Sequence, residues 1–227
     1  TEDHVYLGTE NQAIESIRSL RTSLHFLLMD SGHNVLLVSG PSEDVGKSFL
    51  SVNLAVVLAQ TGKRVLLIDG DMRKGHLNRH LGVVTAMGLS EYIAGEVRLE
   101  DTVFNLEFAD LNFIGTGARP PNPSELLMHE RFAKLIEWGE KTHDFVIIDA
   151  PPILAVTDAA VIARHAGATL LVARAGKHPM GELEETVKRM RQGGAQVRGF
   201  VMNGVDTRRG YGYRYGYRYG DYGTIEQ

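Results

Sequence analysis

Short apolar runs alternate with segments of helical periodicity along most of the chain. Runs typical of strands buried on both faces lie at 35–38, 65–68, 145–148, 169–173 and 197–202. Apolar residues recurring at three- and four-residue steps, with turn residues between them, predict helices over 13–29, 47–60, 124–138, 158–165 and 182–191. Ser124 and Asp158 are the predicted N-terminal caps of the third and fourth of these helices. Weaker patterns indicate a helix near 89–94, one or two strands within 103–114 and a loop over 115–123. This alternation predicts an α/β fold with a mainly parallel sheet covered by helices on both faces.

Length and composition narrow the class of protein. The 227 residues fit one large domain over 13–205, preceded by an irregular lead-in over 1–12 and followed by a tail over 206–227. The chain has no cysteine, which excludes disulfides, thiol catalysis and thiolate metal sites. A net charge of −4 disfavours nonspecific nucleic-acid binding. No apolar run is long enough to span a bilayer, and because no initiator Met is present we expect a piece of a longer protein.

A buried strand, a polar loop and a helix follow one another at residues 35–50, V-L-L-V-S-G-P-S-E-D-V-G-K-S-F-L. Such a segment predicts a phosphate-binding loop and a P-loop NTPase-like fold, because backbone N–H groups and a helix N-terminus attract phosphate. The spacing departs from the common motif, since five residues separate Gly40 from Gly46 and Pro41 stands where the motif begins. An ordinary strand-to-helix turn with a solvated lysine is the alternative.

The same segment supplies the predicted nucleotide contacts. Lys47 is placed to reach the β- and γ-phosphates, and the Ser48 hydroxyl is placed to hold Mg²⁺. The predicted nucleotide-binding residues here are Ser42, Glu43, Asp44, Val45, Gly46, Lys47, Ser48 and Phe49.

Acidic residues follow two of the buried runs. Asp69 and Asp71 follow the run at 65–68, and Asp149 follows the run at 145–148, where open α/β sheets bind their ligands. Because Mg²⁺ prefers hard oxygen ligands and keeps several waters, these three acids and Ser48 form the predicted metal site. Asp149 is the expected second-sphere or water-positioning group. A solvated turn for the first pair and a helix cap for Asp149 are the alternatives.

Two further polar features have two interpretations each. Glu15, Arg18 and Arg21 are three apart on the predicted helix 13–29 and so lie on neighbouring turns. Together they form either a solvated charged face or a surface that contacts another subunit. Asn203, which ends the last predicted strand, either contacts a nucleobase or satisfies a turn.

The C-terminal tail is rich in tyrosine and glycine. Residues 211–222 read Y-G-Y-R-Y-G-Y-R-Y-G-D-Y, without aliphatic residues to bury, which predicts disorder in isolation. The tyrosines could stack on single-stranded nucleic acid, act as an adhesive segment, or accept phosphate. Beside a triphosphate site the third interpretation is the most economical. The predicted acceptors are Tyr211, Tyr213, Tyr215, Tyr217, Tyr219 and Tyr222.

Taken together, these features resemble the bacterial tyrosine kinases (BY-kinases). That family forms the cytoplasmic domains of membrane proteins that control capsule and exopolysaccharide synthesis. The resemblance covers nearly the whole chain. It is carried by Gly46-Lys47-Ser48, L-L-I-D-G-D-M-R at 66–73, P-P-N-P-S-E-L-L at 120–127, F-V-I-I-D-A-P-P at 145–152, the helix with Glu15, Arg18 and Arg21, and the tyrosine-rich end.

The resemblance implies a protein-tyrosine autokinase that uses ATP and Mg²⁺. Lys47, Asp71, Asp69 and Asp149 would be its catalytic residues, with Asp71 assisting deprotonation of the incoming tyrosine and the other two acids supporting the metal. The helix with Glu15, Arg18 and Arg21 would be the contact of a ring-type homo-oligomer in which one subunit's tail enters the neighbour's site.

The resemblance also implies partners and a location. A membrane-spanning activator, in the same polypeptide or a separate one, would place the domain at the cytoplasmic face of the bacterial inner membrane. A tyrosine phosphatase would oppose it, and no nucleic acid would be bound.

Two rival classes share parts of this pattern. Partition and division-site ATPases use the same scaffold as nucleotide-dependent switches, but they carry an additional lysine early in the loop, where this sequence has Ser42. A nucleic-acid-binding module could use the tail, although the net acidity of the chain disfavours it.

Overall fold

The computed structural model describes residues 12–29, 32–106 and 110–205. The tyrosine-rich tail and the lead-in up to residue 11 lie outside the described residues, and Gln12 is already helical. The strands are β1 Val35–Ser39, β2 Val65–Asp69, β3 Phe104–Leu106, β4 Leu111–Ile114, β5 Phe145–Asp149, β6 Ala168–Arg174 and β7 Val197–Asn203. The helices are α1 Gln12–Met29, α2 Lys47–Ala59, α3 Leu77–Leu81, α4 Leu89–Ala94, α5 Pro123–Leu127, α6 Glu130–Thr142, α7 Asp158–Ala163 and α8 Met180–Gln192.

The strands form one sheet in the order β3-β4-β2-β5-β1-β6-β7. Every neighbouring pair is parallel except β3 with β4, which is antiparallel at one edge. The α/β prediction is therefore confirmed. Because the strands run in parallel, the loops that follow β1, β2 and β5 leave from the same edge of the sheet.

Two apolar layers cover the sheet, one on each face. Leu36 and Val38 of β1 pack with α1 and α2, whereas Val35 and Leu37 of the same strand pack with α4, α6 and α7. Side chains alternate between faces along a strand, so a strand covered on both sides must be apolar at every position. This explains the unbroken apolar runs of the sequence.

The predicted single helix over 124–138 is wrong, because two helices occupy this region. His129 lies between α5 and α6 with an extended backbone (φ −69°, ψ 145°), and its ring accepts the N–H of Arg131 at 3.2 Å. The new helix thus begins with its own cap. Ser124 lies inside α5 and does not cap it, since Asn122 precedes the helix and Pro123 occupies its first turn.

Smaller corrections concern three other predictions. Pro123, expected in the loop 115–123, is the first residue of α5. Asp158 does not cap α7, because Thr157 holds the N-cap position and the Asp158 side chain is fully buried. The short helix α3 was not predicted from its weak periodicity.

Within the described residues, no helix is both long and apolar enough to cross a membrane.

Candidate functional site

The register of the central strands brings two acids together. β5 lies between β2 and β1, and Asp69 of β2 is the register partner of Asp149 of β5. Asp149 is also the partner of Val38 of β1, next to the start of the predicted phosphate loop. Both carboxylates are buried, with 2% and 3% of Asp69 and Asp149 exposed. The sheet itself therefore assembles the acids beside the loop.

The loop between β1 and α2 has two residues in the left-handed region. Gly46 has φ +96°, and a Cβ atom built on it would lie 2.1 Å from Nδ2 of Asn203, so glycine is required there. Asp44 has φ 56°. The Asn203 amide donates to the carbonyl of Val45 at 2.9 Å. Asn203 therefore packs against the back of the loop, and its contact with a nucleobase stays a prediction.

Lys47 is a buried cation at the first turn of α2. Its residue is 8% exposed, and Nζ donates to the carbonyl of Ser42 at 3.2 Å, so the side chain folds back over the loop. Burial lowers the pKa of Lys47, while the nearby carboxylates of Asp149 and Asp71 oppose this shift. A poorly solvated cation at a helix N-terminus is well placed to bind phosphate oxygens.

Asp149 is held by two hydroxyls of α2. Ser48 Oγ donates to Oδ2 at 2.7 Å, although the two residues are 101 positions apart in the chain. Ser51 Oγ donates to Oδ1 at 2.8 Å. Burial raises the pKa of Asp149 to about 6, against the lowering effect of these hydroxyls and of Lys47. The predicted pairing of the loop serine with an acid is present.

Asp69 organises the turn that follows β2. Its Oδ1 accepts the N–H of Asp71 at 3.2 Å, and its Oδ2 accepts the N–H of Leu77 at 3.0 Å. Burial, with the charge of Asp149 next, raises the pKa of Asp69 to about 8. The carboxyl group thus joins both ends of the segment that carries Asp71.

Asp71 lies at the mouth of this turn and is partly buried. Its Oδ1 accepts the N–H groups of Arg73 and Lys74 at 3.2 and 3.0 Å, and its carbonyl accepts the N–H of Gly75. The backbone therefore fixes the direction of the carboxylate. A carboxylate held in this way is suited to accept a proton from a hydroxyl that reaches the site.

The structure adds a cluster around the buried Asp158 that the sequence analysis missed. Arg73 Nε and Nη2 donate to the two oxygens of Asp158 at 2.8 and 3.1 Å, and Ser124 Oγ donates to Asp158 Oδ1 at 2.5 Å. Asp158 is fully buried, and its hydrogen bond raises the pKa of Arg73. Arg73 and Ser124 belong to motifs noted in the sequence, but no spacing rule pairs them with each other or with Asp158.

The donor set fits a magnesium ion bound with a nucleotide. Across residues 12–29, 32–106 and 110–205, no three side chains of His, Cys, Asp or Glu form a ready-made metal cluster. Mg²⁺ does not require one, since it binds through one or two carboxylates, waters and substrate phosphates. Ser48 and the three acids supply hard oxygen atoms, and the raised pKa values of Asp69 and Asp149 mark a place where a cation would relieve electrostatic strain.

A groove of about 710 Å³ runs between α1 and the end of β7, beside Gly46. Phe49, Leu20 and Asn203 are among the residues that line it. Its apolar walls and its position next to the loop suit a flat, aromatic group.

The charged residues of α1 lie partly on its outer surface. Arg18 pairs with Glu15 of the same helix, and both remain partly exposed. Ile14, Ile17 and Leu24 form the buried stripe that packs on α2. The helix is confirmed, and its role as a subunit contact stays a prediction.

Comparisons with known proteins agree with this geometry. Residues 35–192 match the family described as AAA domain. The tyrosine-protein kinase Wzc of Salmonella typhimurium is 50% identical over 214 residues, which are 94% of this chain and 29% of that protein. The solved kinase domain of the Escherichia coli tyrosine kinase ETK is 43% identical, with a TM-score of 0.85 over 90% of this chain and 80% of that one. The chain belongs to the bacterial tyrosine kinase family.

This BY-kinase chain shares its fold, though not its close sequence similarity, with division ATPases. The septum site-determining protein MinD of Pyrococcus horikoshii is 22% identical, with a TM-score of 0.64 over 77% of this chain and 72% of that one. That likeness shows the nucleotide-binding P-loop fold alone. The chain spans less than a third of the length of the curated relatives it matches.

Proposed function

We propose that this chain is a Mg·ATP-dependent protein-tyrosine autokinase domain that modifies its own tail cluster, residues 211–222, in trans. One observation carries the proposal: a buried lysine, a loop serine and three aspartates meet at one edge of the sheet. The kinase names of the relatives support the choice of a protein acceptor. The turn that carries Asp69 and Asp71 (residues 69–75, the acid turn) and the phosphate loop would together provide a phosphate site and a base.

The chemistry needs positioning and charge neutralisation. Transfer forms a bond between the tyrosine oxygen and the γ-phosphorus and breaks the bond to the ADP oxygen. The phenol has an ordinary pKa near 10, so its proton needs an acceptor, and Asp71 is our candidate. Lys47 and the N–H groups of the loop would bind the phosphates, and Ser48 with the three acids would hold Mg²⁺, which when bound would neutralise phosphate charge.

We propose that the nucleobase binds in the groove beside Gly46, which has Phe49 and Asn203 among its lining residues. Phe49 follows Lys47 and Ser48 at the start of α2, so a base in the groove would lie next to the phosphates. This assignment extends the proposal to the predicted contact of Asn203.

A mixing experiment tests both the activity and its trans character. One variant is Lys47→Met, which keeps its tail but lacks the phosphate-binding cation. The other keeps its site but has all six tail tyrosines changed to phenylalanine. We expect neither to gain phosphate alone with Mg·ATP, whereas the mixture labels the tail of the Lys47→Met chain. Mass mapping of residues 205–227 is the measurement.

Two results would contradict the proposal. Phosphotyrosine on the Lys47→Met tail without an active partner would remove the assigned role of Lys47. If the wild-type chain hydrolyses ATP at high concentration and its tail never gains phosphate, the division-type nucleotide switch would replace the kinase.

The proposal includes a ring-type homo-oligomer whose contact uses Glu15, Arg18 and Arg21 of α1. We expect Arg18→Ala with Arg21→Ala to shift the light-scattering mass toward monomer. Lys134→Ala with Lys141→Ala is the control, because it removes the same charge from the exposed face of α6. An unchanged mass of the arginine variant would remove the interface assignment.

The remaining partners rest on the family resemblance. We propose a membrane-spanning activator, in the same polypeptide or a separate one, and an opposing tyrosine phosphatase. In this arrangement the domain works at the cytoplasmic face of the bacterial inner membrane in exopolysaccharide or capsule synthesis. Cell fractionation of the full-length protein tests the location, since recovery only in the cytosol would contradict it.

A further inference from the structure

Three consecutive carbonyls of the phosphate loop accept hydrogen bonds from side chains at the ends of β6 and β7. Lys177 Nζ donates to the carbonyl of Glu43 at 2.6 Å, and Arg174 Nη1 donates to that of Asp44 at 3.3 Å. Asn203 Nδ2 donates to the carbonyl of Val45 at 2.9 Å. We call Lys177, Arg174 and Asn203 the carbonyl clamp.

The clamp determines which way the peptide groups of the loop face. A peptide unit is planar and trans, so each N–H points opposite to the carbonyl of the preceding residue. When the carbonyls of Glu43, Asp44 and Val45 turn toward the clamp, the N–H groups that follow them, those of residues 44, 45 and 46, turn away from it. Phosphate is bound by N–H groups of such a loop, and a loop already in this arrangement loses less entropy on binding.

We propose that Arg174 and Lys177 are positioning residues that hold the phosphate loop ready for the nucleotide. The proposal rests on the nucleotide binding proposed above. Both residues belong to the exposed end of β6 and the turn after it, and the side chain of each donates a hydrogen bond to a loop carbonyl. Neither residue was selected from the sequence, because the loop they contact lies about 130 residues earlier.

The first test measures the loop itself in the nucleotide-free full chain. We expect Arg174→Met with Lys177→Met to speed amide hydrogen exchange over residues 42–48. The control is Lys188→Met with Arg191→Met, which removes one lysine and one arginine from the exposed surface of α8. Exchange in the control should equal that of the wild type. Unchanged exchange in the clamp variant would overturn the proposal.

The second test separates positioning from direct contact with the terminal phosphate. A loop that is less well held should bind ATP and ADP more weakly by the same factor, about tenfold for the two residues together. Arg174→Lys with Lys177→Arg, which keeps both donors, should recover most of the affinity. Weakening of ATP alone would show that the cations contact the γ-phosphate, which contradicts the positioning role.

These measurements do not depend on phosphoryl transfer to the tail. If the clamp variant behaves as expected while the wild-type tail gains no phosphate, the kinase proposal fails and the positioning inference stands. If the tail is modified while exchange and affinity are unchanged, only the positioning inference fails.

Discussion

The phosphate loop and the acid turn, residues 69–75, face each other across the site, but they are held in different ways. The carbonyls of the loop accept single hydrogen bonds, and two of these come from the exposed cations Arg174 and Lys177. The acid turn is held by a bidentate hydrogen bond from Arg73 to Asp158, and Asp158 is fully buried.

The difference follows from what each region must do. A phosphate-binding loop receives a charged ligand, and the binding of that ligand can itself fix the conformation of the loop. A general base must stand in place before the acceptor arrives, since misplacing it by about 1 Å can cost a large part of the rate. Arg73 keeps Asp71 in position, because its backbone N–H donates to the Asp71 carboxylate while its side chain is bound to Asp158.

The largest effect is expected from Asp71→Asn. Asparagine keeps an oxygen that can accept the N–H groups of Arg73 and Lys74, but it removes the base. Tail phosphorylation should fall about 100- to 10,000-fold, the usual contribution of a general base. ATP affinity should fall much less, because asparagine keeps an oxygen atom that can still face the metal. Single-turnover assays and ATP titration measure the two effects. Asp101→Asn, at an exposed pair with Arg98, is the control, and an unchanged rate in Asp71→Asn would assign the base elsewhere.

Next in size is the loss of the buried anchor in Asp158→Ala. Removing Asp158 takes away the carboxylate that Arg73 and Ser124 both bind, and we expect a loss of about 2 to 4 kcal/mol in unfolding free energy, reduced from the fully buried case because Arg73 is partly exposed. Urea unfolding measures it. Asp101→Ala breaks a pair of similar geometry on the surface and should cause no measurable change. Equal effects of the two variants would contradict the contrast between the regions.

A smaller effect is expected from Ser124→Ala, which removes one hydroxyl from the same cluster. The loss should be about 1 kcal/mol, typical of a single hydrogen bond to a charged group in a partly buried setting. A double-mutant cycle with Arg73→Lys should show coupling, because both side chains bind Asp158. Strict additivity would show that the cluster does not act as a unit.

The smallest effect is expected at the surface bond that joins the two regions. Lys74 Nζ lies 2.7 Å from Glu43 Oε1, and both side chains are more than half exposed. Solvent and salt screen such pairs, so Lys74→Ala should leave unfolding and ATP affinity unchanged within error. A clear loss of either would mean that the loop and the acid turn are coupled through this pair.

Much of the architecture could be predicted because local pattern determines it. Apolar runs identified five strands, and the loop motif placed Lys47 and Ser48 correctly at the start of α2. The break at His129 could not be predicted, since the apolar spacing continues through it and only the backbone conformation reveals the second helix. The role of Asp158 could not be predicted either, because an acid at the start of a helix usually caps it, and only the fold brings Arg73 and Ser124 to its carboxylate.

The sequence by itself determined most of the elements, the fold class and the residue types that can bind a triphosphate, because these depend on spacing along the chain. Tertiary structure alone decided that Arg73 binds Asp158, that Asn203, Arg174 and Lys177 hold the loop, and that Asp69 faces Asp149. The physical reason is the strand order. It brings together residues separated by 80 to 158 positions, and no periodicity in the sequence records which of them will meet.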